Sequence, residues 1–592
     1  MLGAANSSEE STAPGCNLLM PVHNKDVADS FDMLADLLEI RDANPFRVRA
    51  YRNAARTVRG LPGPVAQMVA DGENLSDLSG IGADLAGKIE EIVDSGKLSL
   101  LEKVKKDIPE GLARIIALPG VGPKRAAQLR KELDIESIGD LAEAAEAGRI
   151  HDLEGFGHKT EERILSAIRE DRGKEQRFLR AEVVEFVDSL LEYLRAIPGV
   201  KKVVAAGSYR RRRSTVGDID LLVTCKRGTP VMDRFVAYDD VEEVVSKGET
   251  MATVRLRSDL QVDLRVVQQV AYGAALFYFT GSKAHNISVR RMAGKKNLKV
   301  NEYGVFRAEK RLAGATEEEV YREVDLPFIP PELREDDGEI EAARKGRLPG
   351  LLTHDDIRGN LHAHTKATDG KYSLREMAEA ARHLGYEYLA ITDHSQQVRM
   401  ANGLDEKRLR RQITSIDKLN DELDDIRLLK GIEVDILEDG SLDLDDDVLA
   451  ELDVVVGSIH SKFDLPGKKQ TERVIRAMDN PSFNILGHPT GRLINRRPPY
   501  EVDVEHIMDA ALERGCFLEL NAQPERLDLK RVHCRLAREK GLRIAISTDA
   551  HTVGDLQFMA CGVDEARRGW IEPDDVLNTR SWTDLKKLLK RD

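Results

Sequence analysis

Beyond residue 352 the chain repeats one pattern: a short apolar run, a helical stretch, then another apolar run. The runs at 388–392, 432–436, 453–459, 517–521 and 544–547 are too short for helices but the right length for strands. Strands separated by helices pair in parallel through crossovers, and a barrel is the closed form of such a sheet. The first helix here opens with a capping box, Ser373 with Glu376, and closes at Gly385.

Histidines and acids punctuate these runs. Asn360-Leu361-His362-Ala363-His364 puts two imidazoles on one face of a strand, and Asp369 follows. His394 comes just after the run at 388–392, Glu433 lies within the next run, and His460 follows the one at 453–459. His488, in Gly487-His488-Pro489, and the pair Asp549 and His551 complete the set. Each lies at or just beyond the C-terminal end of an expected strand, where parallel barrels place their chemistry. Nine N and O donors exceed what one ion needs, and no cysteine joins them. Imidazole with carboxylate favours Zn²⁺, Mn²⁺ or Fe²⁺ over a thiolate-held metal. His354, His383, His506 and His533 read as surface or packing residues, and Asp393 as a group that orients a ligand. Arg492 reads as a phosphate clamp or a surface arginine.

At 592 residues the chain exceeds one core, and usual domain sizes divide it into about three to five units. A hydrophobic share of 41% with 32% charged residues fits a folded chain. The net charge of −14 excludes a uniformly basic surface, though a local basic stripe is enough to hold phosphates. The five cysteines form no CxxC pair and read as reduced thiols. Residues 1–23 read as a polar tail without signal character, and no run reaches a membrane span. A cytoplasmic, nucleoid-associated protein with no membrane partner is expected.

A second constellation lies upstream. Gly207-Ser208-Tyr209-Arg210-Arg211-Arg212-Arg213 is followed by Gly217-Asp218-Ile219-Asp220-Leu221-Leu222. Strands are expected at 203–206, 219–225 and 260–267, with a helix at 181–194. Asp218 and Asp220, two apart, project from one face, while Ile219 and Leu221 face a core. Asp263 lies on the alternating run Leu260-Gln261-Val262-Asp263-Leu264-Arg265, opposite its apolar face. Three such acids can hold two Mg²⁺ (or Mn²⁺) ions for phosphoryl transfer. Gly207 and Ser208 would cradle a triphosphate, with Arg211 neutralising charge.

The region 24–174 reads as helical, with three similar turns: Leu78-Ser79-Gly80-Ile81-Gly82, Leu118-Pro119-Gly120-Val121-Gly122 and Leu153-Glu154-Gly155-Phe156-Gly157. A Gly-x-Gly turn before a helix lets backbone N–H groups approach a nucleic-acid phosphate without reading sequence. Gly80, Gly82, Gly120, Gly122, Gly155 and Gly157 are therefore candidate DNA contacts.

These motifs resemble known ones. The turns resemble helix-hairpin-helix motifs, and Gly-Ser…Gly-Asp-x-Asp with a distant Asp resembles the nucleotidyltransferase superfamily. Tyr278-Phe279-Thr280-Gly281-Ser282, with Asn286 and Arg290, resembles the nucleotide-binding helix of family X DNA polymerases. The resemblance implies that Tyr278 and Phe279 screen the sugar, Gly281 belongs to the same site, Asn286 meets the incoming base and Arg290 reaches the template. It places Arg180 near the triphosphate. The segment Phe46-Arg47-Val48-Arg49-Ala50-Tyr51-Arg52 resembles the family's N-terminal domain, and Lys88 falls at its Schiff-base lysine. Asp84 stands where that domain often has a basic residue, so Lys88 reads first as a helical lysine or phosphate contact, with lyase chemistry the alternative. The histidine-rich set resembles the polymerase-and-histidinol-phosphatase (PHP) domain, which implies three metals in a distorted (β/α)₇ barrel.

The expected architecture is an all-α helix-hairpin-helix region (24–105 and 106–174), then an α+β nucleotidyltransferase palm (175–268) and thumb (269–329). A linker (330–352), rich in Pro, Gly and charge, leads to the PHP barrel (353–592). The resemblance implies a monomeric gap-filling DNA polymerase of base excision repair, acting on gapped or nicked duplex DNA with dNTPs. Its PHP domain is associated with 3′–5′ exonuclease, abasic-site endonuclease and 3′-phosphatase activities. The other readings are a nucleotidyltransferase fused to a histidinol-phosphate-like phosphatase, and a gap-binding protein with a scaffolding barrel.

Overall fold

The computed structural model describes residues 24–590 apart from 42, 62–63, 106–114, 116–120, 134, 136–139, 142–143, 146–147, 152, 154, 158–159, 162 and 166–176. Among the described residues, no helix is long and apolar enough to cross a membrane.

The N-terminal region is helical, beginning with Asn24–Ile40, Pro45–Arg59, Val65–Ala70 and Ala83–Ser95. Local sequence explains the breaks. Asn44 caps the second helix by accepting from the Phe46 N–H, and Pro45 stands at its first turn. Gly96, at φ +69°, ends the fourth. One apolar cluster runs from Val27 to Ile164, so the two expected helical units share a core.

The palm is a five-stranded mixed sheet, in order Val200–Ala205, Asp218–Cys225, Gln261–Val266, Met251–Leu256 and Val241–Lys247. Helix Arg180–Arg195 buries Val183, Phe186, Val187, Leu190, Leu191 and Leu194 in the palm core. Next come helices Tyr272–Thr280 and Lys283–Lys295, an antiparallel three-stranded sheet, and helix Glu317–Glu323.

Seven parallel strands in sequential order form the C-terminal domain: Gly359–Asn360, Tyr388–Ile391, Arg427–Asp435, Val454–Ser458, Ile485–Leu486, Phe517–Asn521 and Ile544–Ser547. A parallel bridge between Ala363 and Ala550, with the His364 N–H donating to the Ala550 carbonyl at 2.8 Å, brings last strand to first. This nearly closed ring is the expected distorted (β/α)₇ barrel.

The stretch expected as a plain linker is instead packed. Pro331–Leu333 forms a 3₁₀ turn and Glu339–Arg344 a helix, and Arg334 is fully buried. The Arg334 guanidinium donates to Glu317 at 2.6 Å and to the Ile329 carbonyl at 2.8 Å, and lies 5.2 Å from the rings of Tyr321 and Phe328. Glu317 is bidentate with Arg210 of the palm. Glu339 accepts from His285 and from the Asp336 and Asp337 N–H groups. The acidic run is consumed too: Glu335 meets Arg211 and Arg568, and Asp337 meets Arg531 and Arg535. Composition suggested a linker, but arginines distant in sequence supply partners that pack it.

Removing one member of a buried ion pair leaves its partner uncompensated. Glu317→Ala would leave the fully buried Arg334 guanidinium without its carboxylate, and should therefore destabilise the thumb by about 3–5 kcal/mol. Denaturant unfolding followed by the fluorescence of Trp570, which packs in the thumb's apolar cluster, would measure this.

Candidate functional site

In the palm, strands Asp218–Cys225 and Gln261–Val266 run parallel with Asp220 paired to Asp263. That register puts their carboxylates side by side, with Asp218 one step along the same face and Ile219 and Leu221 fully buried behind. Thr253 donates to Asp263 at 2.6 Å. Burial, and then the charges of Asp218 and Asp263, push Asp220 up to about 7. Gly207 is at φ +58°, and a Cβ there would lie 2.4 Å from an Asp220 carboxylate oxygen. Glycine thus lets the turn at 207–210 close over the acids.

The structure brings further expected residues to this turn. Arg211 is buried, donating to the Thr280 carbonyl at 2.5 Å and meeting Glu335 at 3.3 Å. Gly281, at φ +69°, would place a Cβ 3.0 Å from the Arg211 guanidinium. Arg180 pairs with Asp564 of the barrel. The Tyr278 and Phe279 rings meet edge to face at 5.2 Å, and Asn286 donates to the Tyr278 carbonyl at 2.7 Å. Arg290 is exposed and lines a groove with Arg291 and Lys299.

In the hairpins, Gly82, Gly122 and Gly157 accept the first hydrogen bonds of the helices that follow them. Gly80 and Gly155 adopt φ +77° and +81°. Ile81, Val121 and Phe156 between the glycines are all buried in the shared core, so Phe156 occupies an equivalent place. Gly120 lies outside the described residues. Lys88 pairs with Asp84 one turn earlier.

In the barrel all nine expected ligands converge beyond the strand ends. Three groups have donor atoms within 4.8 Å of one another: His364, Asp369, His394 and His551; His362, His364 and Asp549; and His394, Glu433 and His460. His488 joins through Glu433 at 3.0 Å. The donor set fits metal ions on a direct observation. Nε2 of His362, Nδ1 of His364 and of His394, and Oε2 of Glu433 are buried without a hydrogen bond. Glu433 Oε2 lies 3.5 Å from His362 and His364 and 2.9 Å from His394. Three of the orphans, His362 Nε2, His394 Nδ1 and Glu433 Oε2, thus meet at one point, which is costly unless a cation takes them.

Burial opposes charge on His394, but Glu433 and Asp369 push it up to about 10. Against the same burial, Asp369 and Asp549 raise His551 to about 9, and Glu433 and Asp435 raise His460 to about 9. His364 goes the other way, to about 4, through burial and the neighbouring His551 and His394.

Several supporting residues escaped the sequence reading. Glu519, fully buried, accepts from His362 Nδ1 at 2.8 Å and from the His488 N–H at 2.7 Å. Asp435 lies 3.4 Å from His460. An acid in an otherwise apolar strand, as in Phe517-Leu518-Glu519-Leu520-Asn521, was the available signal. Asp393 accepts from Thr365 and Thr368 and so fixes the turn that carries Asp369. Arg492 spends its guanidinium on the Arg526 and Leu527 carbonyls, buttressing the turn at 523–527. The guanidinium beside the metal cluster is that of Arg526, 3.6 Å from Asp549.

Sequence-family models match four parts of the chain. Helix-hairpin-helix models match residues 22–98 and 112–170, a DNA polymerase beta thumb matches 275–335, and a PHP domain matches 360–523. Together they define a polymerase-type chain joined to a PHP domain. The DNA polymerase/3′-5′ exonuclease PolX of Bacillus subtilis is 40% identical over 574 residues, covering 96% of this chain and all of that protein. This chain belongs to the family X DNA polymerases that carry a C-terminal PHP domain. Two proteins named "Probable phosphatase" are also similar. That of Thermoanaerobacter sp. (strain X514) is 31% identical over 37% of this chain and 89% of its own length. That of Acetivibrio thermocellus is 32% identical over 32% of this chain and 78% of its own length.

A protonated imidazole cannot ligate a metal. Metal uptake by chelator-stripped protein should therefore release protons, and affinity should rise with pH towards about 10, as His460 and His551 and then His394 lose theirs. Titration calorimetry in buffers of different ionisation enthalpy would detect the release. His364 stands in two of the three groups and His460 in one, so His364→Ala should lose more metal than His460→Ala by elemental analysis.

Proposed function

We propose that this chain fills short gaps in duplex DNA during base excision repair and processes 3′ ends through its PHP domain. The observation that carries the reading is the in-register pairing of Asp220 with Asp263, in a chain related over 96% of its length to a polymerase/exonuclease.

Asp218, Asp220 and Asp263 would hold Mg²⁺ or Mn²⁺, and the nine barrel ligands three ions of Zn²⁺, Mn²⁺ or Fe²⁺. When bound, such ions supply charge neutralisation and activate an oxygen nucleophile. The chain's own residues do the positioning. Gly207 and Ser208 cradle the triphosphate, and Arg211 and Arg180 offset its charge. Tyr278 and Phe279 wall the sugar, Gly281 keeps room for Arg211, Asn286 meets the base and Arg290 the template. The hairpin glycines hold the backbone of gapped or nicked DNA without reading sequence. Lys88, paired with Asp84, serves as a phosphate contact more readily than as a Schiff-base lysine. Glu519 fixes the tautomer of His362. In this reading the protein works as a monomer on the nucleoid.

The PHP domain would act as a 3′–5′ exonuclease. The relatives named as phosphatases favour removal of terminal phosphates as well, and 3′-phosphorylated ends are the matching DNA substrate. Comparing hydrolysis of histidinol phosphate with that of a 3′-phosphorylated oligonucleotide separates this from a small-molecule phosphatase.

A labelled primer on a one-nucleotide gap with Mn²⁺ tests the two activities. With dNTPs the wild type should extend it, and without them shorten it. Asp218→Ala with Asp220→Ala should abolish extension and spare shortening, whereas His362→Ala should do the reverse. Loss of both activities in either variant contradicts the division of labour. Protonated Asp220 cannot ligate, so apparent Mg²⁺ affinity in extension should weaken below pH about 7 and level off above it.

A further inference from the structure

Palm and barrel meet along the barrel helix Met559–Arg568. Asp564 on this helix is buried, with one carboxylate oxygen on Arg180 and the other on Arg212. Arg212 also meets Glu332 at 3.2 Å, and Glu332 receives Arg567 from the same barrel helix at 2.9 Å. The backbone of Arg212 is left-handed, at φ +56°, a conformation a non-glycine residue holds only when its surroundings impose it. Both arginines lie by the turn that carries Ser208: Arg180 is 6.0 Å from the Tyr209 ring and its backbone N–H donates to the Ser214 carbonyl, while the Arg212 backbone N–H donates to the Tyr209 carbonyl.

Two guanidinium groups drawn to one place repel unless an anion lies between them. Asp564 is that anion, yet it does not exhaust them. Each guanidinium has five N–H donors, and Asp564 takes one from each. Glu332 is shared between Arg212 and Arg567, so Arg180, Arg212 and Arg567 with the two acids together keep one positive charge, and the Arg212 side chain is 41% exposed. The barrel therefore orients the two arginines without neutralising them.

We propose that Asp564, a residue of the PHP barrel, is a positioning residue of the polymerase, holding Arg180 and Arg212 towards the triphosphate of the incoming nucleotide. The inference rests on the nucleotide site proposed above.

The test is steady-state single-nucleotide gap filling by full-length Asp564→Asn, which keeps the shape and removes the charge. KM for the dNTP should rise about tenfold, the worth of one charge-assisted hydrogen bond. The kcat should change little, 3′ shortening without dNTPs should match the wild type, and Asp564→Glu, which keeps the anion, should recover most of the loss. An unchanged or lowered KM in Asp564→Asn overturns the proposal. So does an equal fall in both activities with a lowered melting temperature, which marks a merely structural contact. A wild-type protein that does not extend the primer defeats the polymerase reading itself, a result distinct from any of these.

Discussion

A carboxylate taken out of water must be met by a positive charge, and much of this molecule is arranged around that requirement. It is met in three ways. In the palm, three acids on adjacent strands lie so close that Asp220 takes up a proton near neutrality. In the barrel, acids and imidazoles gather at the strand ends, and the carboxylates raise His394 and His551 well above the usual imidazole range. Between palm, thumb and barrel, Glu317, Glu332, Glu335 and Asp564 are met by arginine. The first two arrangements invite exchangeable cations and so chemistry. The third uses cations that cannot leave and so holds the units together.

Much of this was legible in the sequence because strand geometry makes it so. Residues two apart on a strand share a face, which pairs Asp218 with Asp220 and His362 with His364. Chain order in a parallel barrel is also spatial order, so ligands after successive strands converge. What escaped depends on partners far apart in the chain. Glu519 and Asp435 sit in strands buried on both faces, where no alternation marks an inward acid. Arg492 looked like a phosphate clamp because it follows His488, but the carbonyls of Arg526 and Leu527 claim it. Residues 330–352 read as a linker because no local feature announces Arg531, Arg535 or Arg568.

The hairpins show the same limit at smaller scale. Their glycines were recognisable, yet the residue between them matters as much: Ile81, Val121 and Phe156 anchor each turn in a common core. Arg125, at the start of the helix after the second hairpin, donates to the Gly155 carbonyl and lies over the Phe156 ring, so the last two hairpins brace each other.

The bridge between Ala363 and Ala550 has a consequence for how the protein is made. Each alanine is flanked by two ligands, His362 and His364 on one side and Asp549 and His551 on the other. The seam that completes the ring is thus also a wall of the metal cluster. A chain emerging from the ribosome cannot assemble that wall until its final strand has been released, long after the palm has been synthesised. Translation order alone completes the palm's three acids first, while the barrel's metal site waits for its last strand.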